Sequence, residues 1–170
     1  MPRTLSLVVI ALFFAACAGS PQGGPHANHA AHGGGGKSAP LGKVAWCSLE
    51  EGKQLAWVQE KPMLVEFYVP AGCHRCELMD AQIYGNEEIA RLINERFVPV
   101  RIDLTGTMTR EEVELGRRYD YQYECLLLFL DAEGAVIEKA GGGRMCFAEF
   151  VSPEWFKGYL HHASEAAAGR

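Results

Sequence analysis

The stretch MLVEFYVPAGCHRC, residues 63–76, decides the fold of this chain. Residues 63–69 are mostly apolar, which is typical of a strand buried in a sheet. Cys73 and Cys76 follow directly, and residues 77–83 continue in a pattern that favours a helix. The order of strand, cysteine pair and helix predicts that Cys73 lies where a helix begins, one helical turn before Cys76.

The spacing of these two cysteines favours redox chemistry. One helical turn brings the second sulfur close enough to form a disulfide, and the backbone N–H groups at a helix N-terminus stabilise a thiolate. We therefore predict Cys73 as the nucleophile and Cys76 as the resolving thiol. His74 and Arg75 add positive or polarisable groups, which favour the Cys73 thiolate and bias the couple toward oxidising.

Three alternatives to these assignments stay open at the level of sequence. His74 is equally consistent with a solvent-facing loop residue. The cysteine pair itself also occurs as half of a zinc site or as a structural disulfide. No second Cys-x-x-Cys or Cys/His pair at ligand spacing is present, and the strand before the motif with the helix after it favours redox chemistry.

The segments around this stretch predict an α/β fold. Ser-x-x-Glu at 48–51 and Thr-x-x-Glu at 109–112 are capping boxes that begin two helices, and a further helix begins at Asn86. Strands are predicted at 98–103, 126–130 and 135–138, the last two as a hairpin. We expect a central mixed sheet of about four to five strands, flanked by helices on both faces.

A terminal helix is predicted to begin at Ser152, with Pro153 at its first position. Its larger apolar residues should share one face: Trp155, Phe156, Tyr159 and Leu160.

The N-terminal residues are typical of an export signal. Arg3 supplies positive charge, residues 5–14 form an apolar run too short to span a bilayer stably, and small residues surround Cys17. Residues 14–17 resemble a bacterial lipobox, which predicts a lipoprotein signal at 1–16 and lipidation of Cys17. The alternative is ordinary cleavage without a lipid.

Residues 17–43 are predicted to be a flexible tether, because glycine, alanine, proline, histidine and serine dominate them and little apolar surface is available for burial. Its three histidines (His26, His29 and His32) lack a cysteine or carboxylate that would complete a metal site nearby, and we assign them no role. The folded domain is expected to span 44–167.

Composition narrows the class of function. The chain has 170 residues, 48% hydrophobic content and a formal net charge of -5, which suits one domain with a sizeable core. No run of lysine or arginine is present, so the electrostatic attraction required for nucleic-acid binding is missing. We exclude nucleic acid as a partner.

Residues 61–160 resemble the thioredoxin superfamily, particularly the soluble reductase domain of the transmembrane disulfide reductases. The resemblance is carried by residues 61–68, by the Cys-His-Arg-Cys motif, and by Leu-Phe-Leu-Asp at 128–131 with Gly134. It implies a thioredoxin-like fold and thiol–disulfide exchange with other proteins.

The resemblance also implies a role for Glu66, which corresponds to the buried acid that this family places beneath the dithiol for proton transfer with the resolving cysteine. Glu66 precedes Cys73 by seven residues, where the family usually has six. We expect a bulge near Pro70 to absorb the extra residue. The alternative is a solvent-facing strand carboxylate.

Cys125 occupies the position where the resemblance implies a cis-proline facing the dithiol. A third thiol there would permit an alternative disulfide or a three-thiolate metal site, while a packed core thiol is the simplest alternative. Two further pairings stay open, Cys47 with Cys146 and Cys125 with Cys146.

The sequence therefore predicts an exported, membrane-anchored thiol–disulfide oxidoreductase of the bacterial cell envelope, facing the periplasm, with secretion as the alternative. Its expected partners are exported protein thiols or disulfides and a redox partner protein, without a cofactor. One alternative is a module that binds Cu(I) or Zn(II) through Cys73, Cys76 and Cys125. Another is a structural envelope lipoprotein whose dithiol stays oxidised.

Overall fold

The computed structural model describes residues 43–122, 126–139 and 141–169. The predicted signal peptide, the lipidation site Cys17, the tether through 42 and the loop residue Cys125 lie outside these ranges. Of the helices in the described ranges, none combines the length and the apolar composition needed to cross a membrane.

Five α-helices, one π-helix and four strands form the described part of the chain. In chain order they are α1 Leu49–Gln59, β1 Met63–Tyr68, α2 His74–Leu78, a π-helix Met79–Tyr84, α3 Glu87–Arg96, β2 Val98–Asp103, α4 Arg110–Tyr119, β3 Leu127–Leu130, β4 Cys146–Phe147 and α5 Pro153–Ala168.

The strands form one mixed sheet in the order β2-β1-β3-β4. β1 is parallel to β2, in a register that runs from Met63 opposite Val98 to Tyr68 opposite Asp103. β3 is antiparallel to both β1 and β4. A parallel pair needs a crossover connection, which α2, the π-helix and α3 provide between β1 and β2. The predicted α/β class and mixed sheet are confirmed.

Helices cover both faces of the sheet because side chains alternate along β1. Leu64 belongs to the main apolar cluster, together with Ile83 of the π-helix and Phe156 of α5. Phe67 points to the opposite face, where its ring stacks on Tyr121 and lies against α4. The strand that leads into the cysteine motif is therefore anchored on both sides.

Local signals placed the helix starts correctly. Both predicted capping boxes are present, with Glu51 and Glu112 returning hydrogen bonds to the backbone of the residues that cap α1 and α4. Ser152 accepts a hydrogen bond from the Trp155 N–H at the start of α5, with Pro153 in the first turn.

The predicted hairpin is only partly correct. Residues 135–138 pair with β3 through an isolated bridge between Leu130 and Val136, and the strand that pairs with β3 over two residues is Cys146–Phe147. Five glycines in the described ranges have positive φ, three of them consecutive at 141–143, so the chain turns sharply between these segments.

The prediction for the apolar face of α5 was wrong for Trp155. Phe156 and Leu160 are fully buried, whereas Trp155 is 68% exposed. Successive helical residues are 100° apart, so Trp155 and Phe156 cannot both point into the same core.

Candidate functional site

The two cysteines of the motif lie where β1 feeds into α2. Cys73 is the N-cap of α2, and Cys76 lies in its first turn. The two form a disulfide with their Cα atoms 5.2 Å apart, and the Cys76 N–H donates a hydrogen bond to Cys73 Sγ at 3.1 Å. Cys76 is only 2% exposed, whereas Cys73 is half-buried. This asymmetry is the one that the predicted roles of nucleophile and resolving thiol require.

The loop between β1 and Cys73 absorbs the extra residue before the motif. All six residues of β1 pair continuously with β2, so the expected bulge near Pro70 is absent. The loop spans residues 69–72 and ends at Gly72, whose φ of +78° an L side chain rarely adopts. The extra length is accommodated in the turn itself.

Glu66 lies in the interior, with 0% exposure. Its Oε2 accepts hydrogen bonds from Arg101, 3.0 Å from Nε and 2.8 Å from Nη2, and its Oε1 lies 3.3 Å from Arg75 Nη1. Burial raises the pKa of Glu66 above its ordinary value of 4.5, and the charges of Arg101 and Arg75 oppose that rise. The solvent-facing alternative is excluded, while the role of Glu66 in proton transfer stays a prediction.

Arg101 reaches Glu66 because the two residues are directly opposite in the parallel register of β1 and β2. The guanidinium carbon of Arg101 lies 4.2 Å from the ring centre of Trp46 and 4.1 Å from that of Tyr68. Its Nη2 also contacts Asp80 Oδ1 at 2.7 Å. Two carboxylates and two aromatic rings therefore hold one cation in place.

The π-helix supplies the remaining parts of this polar cluster. Asp80, which pairs with Arg101, also accepts a hydrogen bond from the Tyr68 hydroxyl at 3.0 Å. Tyr84 is buried, and burial together with the nearby charge of Glu66 raises its pKa well above the ordinary value of 10.0. Its hydroxyl faces that carboxylate but has no well-formed hydrogen bond to any described residue.

The two residues between the cysteines point in different directions. His74 is exposed, whereas the Arg75 side chain is 11% exposed and turned toward Glu66. The sequence predicted that both would favour the Cys73 thiolate. The structure instead directs the Arg75 charge to the carboxylate beneath the dithiol.

The other cysteines are partly resolved by the structure. Cys47 is a buried thiol that donates a hydrogen bond to the Pro99 carbonyl at 3.2 Å. Cys146 is in a disulfide, so the pairing of Cys47 with Cys146 is wrong. Cys125, the other proposed partner of Cys146, lies outside the described residues, as does the peptide bond before it.

Within the described ranges no group of three or more histidine, cysteine or carboxylate side chains is arranged to hold a metal ion. The three-thiolate alternative includes Cys125, which is not described, so the structure does not test that alternative.

Sequence reasoning missed Arg101, Asp80, Tyr84 and Trp46. Arg101 left one signal: it is a single charge between Val100 and Ile102 in an otherwise buried strand. Such a residue nearly always has a buried partner. The partner itself could be named only once the register with Glu66 was known.

The family described as thioredoxin-like matches residues 45–132, just over half of the chain. No curated protein sequence matches significantly. Among solved structures, a thioredoxin from Thermus thermophilus is 22% identical with a TM-score of 0.53, covering 76% of this chain and 95% of that one. The DsbH oxidoreductase is 20% identical with a TM-score of 0.53, covering 79% and 93%.

At these identities the likeness to solved structures speaks for the fold alone, and the family match agrees with it. The sheet order, the disulfide at the start of α2 and the matched residues 45–132 lead to one conclusion. The chain belongs to the thioredoxin-like family.

Proposed function

We propose that the protein is a thiol–disulfide oxidoreductase that exchanges electrons with protein thiols through Cys73 and Cys76. The observation that carries the proposal is the disulfide between an accessible N-cap cysteine and a buried cysteine one turn later, above the buried Glu66. An N-cap sulfur faces the backbone N–H groups of the helix, which favour its thiolate form.

The exchange proceeds through a mixed disulfide. The Cys73 thiolate attacks a disulfide of the substrate protein, forms a bond to one of its sulfurs and releases the other as a thiolate. Cys76 then attacks Cys73, which forms the intramolecular disulfide and releases the second substrate thiolate. The substrate gains two electrons and the dithiol loses two, and the same steps reversed oxidise a substrate dithiol.

Reduction of insulin disulfides by the protein, with dithiothreitol as the electron donor, tests this proposal. Cys73→Ala should abolish turnover, and Cys76→Ala should accumulate a mixed disulfide through Cys73. Cys47→Ala is the matched control, because Cys47 is buried against Pro99 and outside the motif, and it should keep the wild-type rate. Equal turnover in the Cys73 variant and the wild type would refute the proposal.

The export and anchoring of the protein form a second part of the proposal. Its support is the sequence of residues 1–17, with a basic start, a short apolar run and Cys17 at the expected cleavage point. The protein would then act in the bacterial cell envelope, anchored by a lipid on Cys17 and facing the periplasm. This places the dithiol among exported proteins, where disulfides persist.

Labelling with a palmitate analogue during expression of the full chain in a bacterium tests the anchor. Wild-type protein should carry the label and fractionate with membranes, and Cys17→Ser should lose both properties. Cys47→Ser serves as the control for cysteine replacement. Unlabelled wild-type protein in the soluble fraction would contradict the anchor without affecting the redox assay.

The finer likeness to the reductase domain of the transmembrane disulfide reductases also belongs to this proposal. It rests on the Cys-His-Arg-Cys motif following a strand that carries Glu66, as quoted from the sequence. On this proposal the protein receives or passes electrons through a redox partner in the same compartment.

A further inference from the structure

Arg75 joins the cysteine motif to the buried carboxylate beneath it. It immediately precedes Cys76 in α2, yet its side chain is only 11% exposed, and its Nη1 lies 3.3 Å from Glu66 Oε1. The neighbouring His74 is exposed. One of the two residues between the cysteines is therefore part of the interior.

The charge of Arg75 is directed at Glu66. Arg101 also binds this carboxylate, but it divides its hydrogen bonds between Glu66 and Asp80. The Nε and Nη2 atoms of Arg75 are buried and make no hydrogen bond to any described residue. A buried cation is tolerated only when it is compensated, and the carboxylate of Glu66 is the one ion-pair partner found for Arg75 in the described ranges.

Every element packed against Glu66 was considered for charges that act on it. Arg75 comes from α2, Arg101 from β2 and Tyr84 from the π-helix, and Tyr68 lies on the same strand. On the β3 side the opposite residue is the apolar Leu127. Arg75 is the one member of this set that lies between the two cysteines.

We propose that Arg75 is a positioning residue of the redox reaction, because its ion pair keeps Glu66 ionised and ready to accept the Cys76 proton. The inference rests on the proposed function. In the mixed disulfide, the Glu66 carboxylate takes the proton from the Cys76 thiol, and the resulting thiolate attacks Cys73 Sγ. The bond between Cys73 and Cys76 forms as the bond from Cys73 to the substrate breaks, and the substrate thiolate then takes a proton from water.

The physical basis is the competition between burial and charge. Burial alone favours the neutral carboxyl, and a neutral Glu66 has no free capacity to accept a proton. An opposite charge within about 4–6 Å favours the ionised form. Removing the Arg75 charge should therefore leave Glu66 protonated over a wider pH range and slow the attack by Cys76 near neutral pH.

Two measurements on Arg75→Met, Arg75→Lys and the control His74→Gln test this inference. The first is the titration of the Glu66 carboxyl in the oxidised protein, followed by carbon-13 NMR. The second is the pH dependence of Cys73–Cys76 formation in a single turnover of the reduced protein with a disulfide peptide. His74→Gln alters the same motif at an exposed position and makes it a matched control.

In Arg75→Met we expect the midpoints of both pH profiles to move upward by about one pH unit or more. The single-turnover rate at pH 7 should then fall by about tenfold, since each pH unit changes the ionised fraction by up to that factor. Arg75→Lys should restore most of the rate, and His74→Gln should match the wild type. A structural role for Arg75 would not move either midpoint.

Coinciding midpoints for Arg75→Met and His74→Gln would overturn the inference. If the Met variant does not fold, Arg75→Gln replaces it, with near-ultraviolet circular dichroism as the check on folding. The NMR titration needs no turnover, so a wild-type protein without exchange activity would refute the proposed function while the titration still decides the role of Arg75. Normal activity with unchanged midpoints would refute the role of Arg75 alone.

Discussion

Replacing Arg101 with methionine should destabilise the oxidised protein by about 3–5 kcal/mol at pH 7, because it leaves a buried carboxylate short of one cation. The guanidinium of Arg101 makes two contacts to Glu66 Oε2, at 2.8 and 3.0 Å, and Glu66 is fully buried. Methionine is long and unbranched, so it should still fill the space between the rings of Trp46 and Tyr68. The loss then reports mainly on charge.

The structure places the expected value near the lower end of that range. Glu66 keeps the second contact from Arg75 at 3.3 Å, so its charge is not left wholly unpaired. Asp80, the other partner of Arg101, is 38% exposed and is solvated by water once the pair is broken. We therefore expect about 3 kcal/mol.

Urea unfolding at pH 7 measures this loss. Arg110→Met is the matched control, since Arg110 is 91% exposed in its pair with Glu114 and its removal should cost no more than about 0.5 kcal/mol. The double variant Arg101→Met with Glu66→Gln should be more stable than Arg101→Met alone, because no buried charge is left without its cation. A loss below about 1 kcal/mol in Arg101→Met, or a double variant that is no more stable, would refute the reasoning.

Three further predictions concern packing, pH and cysteine chemistry. Gly116→Ala should cost about 1–3 kcal/mol in urea unfolding, because its Cβ would lie 2.6 Å from a tyrosine ring, whereas Gly158→Ala has open space and should stabilise α5. The folded-state pKa of Glu66 is raised, so the stability of wild type relative to Glu66→Gln should fall as pH rises from about 4.5, and a rising difference would contradict this. Peptide mapping without reduction should find Cys146 in a disulfide and Cys47 as a thiol.

The parts of the fold encoded by short-range chemistry were predictable from sequence. A capping box needs only two side chains three residues apart, and those at Ser48 and Thr109 both form. The apolar run of β1 followed by the cysteine pair likewise depends on adjacent residues alone. These predictions needed no knowledge of the remaining chain.

The parts that were missed depend on contacts distant in sequence. β4 has two residues, Cys146 and Phe147, and exists only because β3 lies beside it. The π-helix at 79–84 replaces the regular helix expected after Cys76, and it provides both Asp80 and Tyr84 to the polar cluster. Helix propensity carries no information on such a widened turn, which often occurs at functional sites.

The candidate site shows the same division. The positions of Cys73 and Cys76 followed from their spacing, and burial of Glu66 followed from a family resemblance. The pair between Glu66 and Arg101 spans 35 residues of sequence and requires the parallel register of two strands. The inward turn of Arg75 depends in turn on that carboxylate being buried, so composition of the motif could not reveal it.

The reduction potential of the Cys73–Cys76 couple tests the central claim most directly. It is measured by equilibrating the protein with glutathione at defined ratios and quantifying the reduced fraction, with Cys47→Ala as a background that removes the other described thiol. An exchanging oxidoreductase should give a value between about -270 and -120 mV, the range spanned by thioredoxin and the strongly oxidising family members. A value below about -300 mV would mark a structural disulfide and contradict the account.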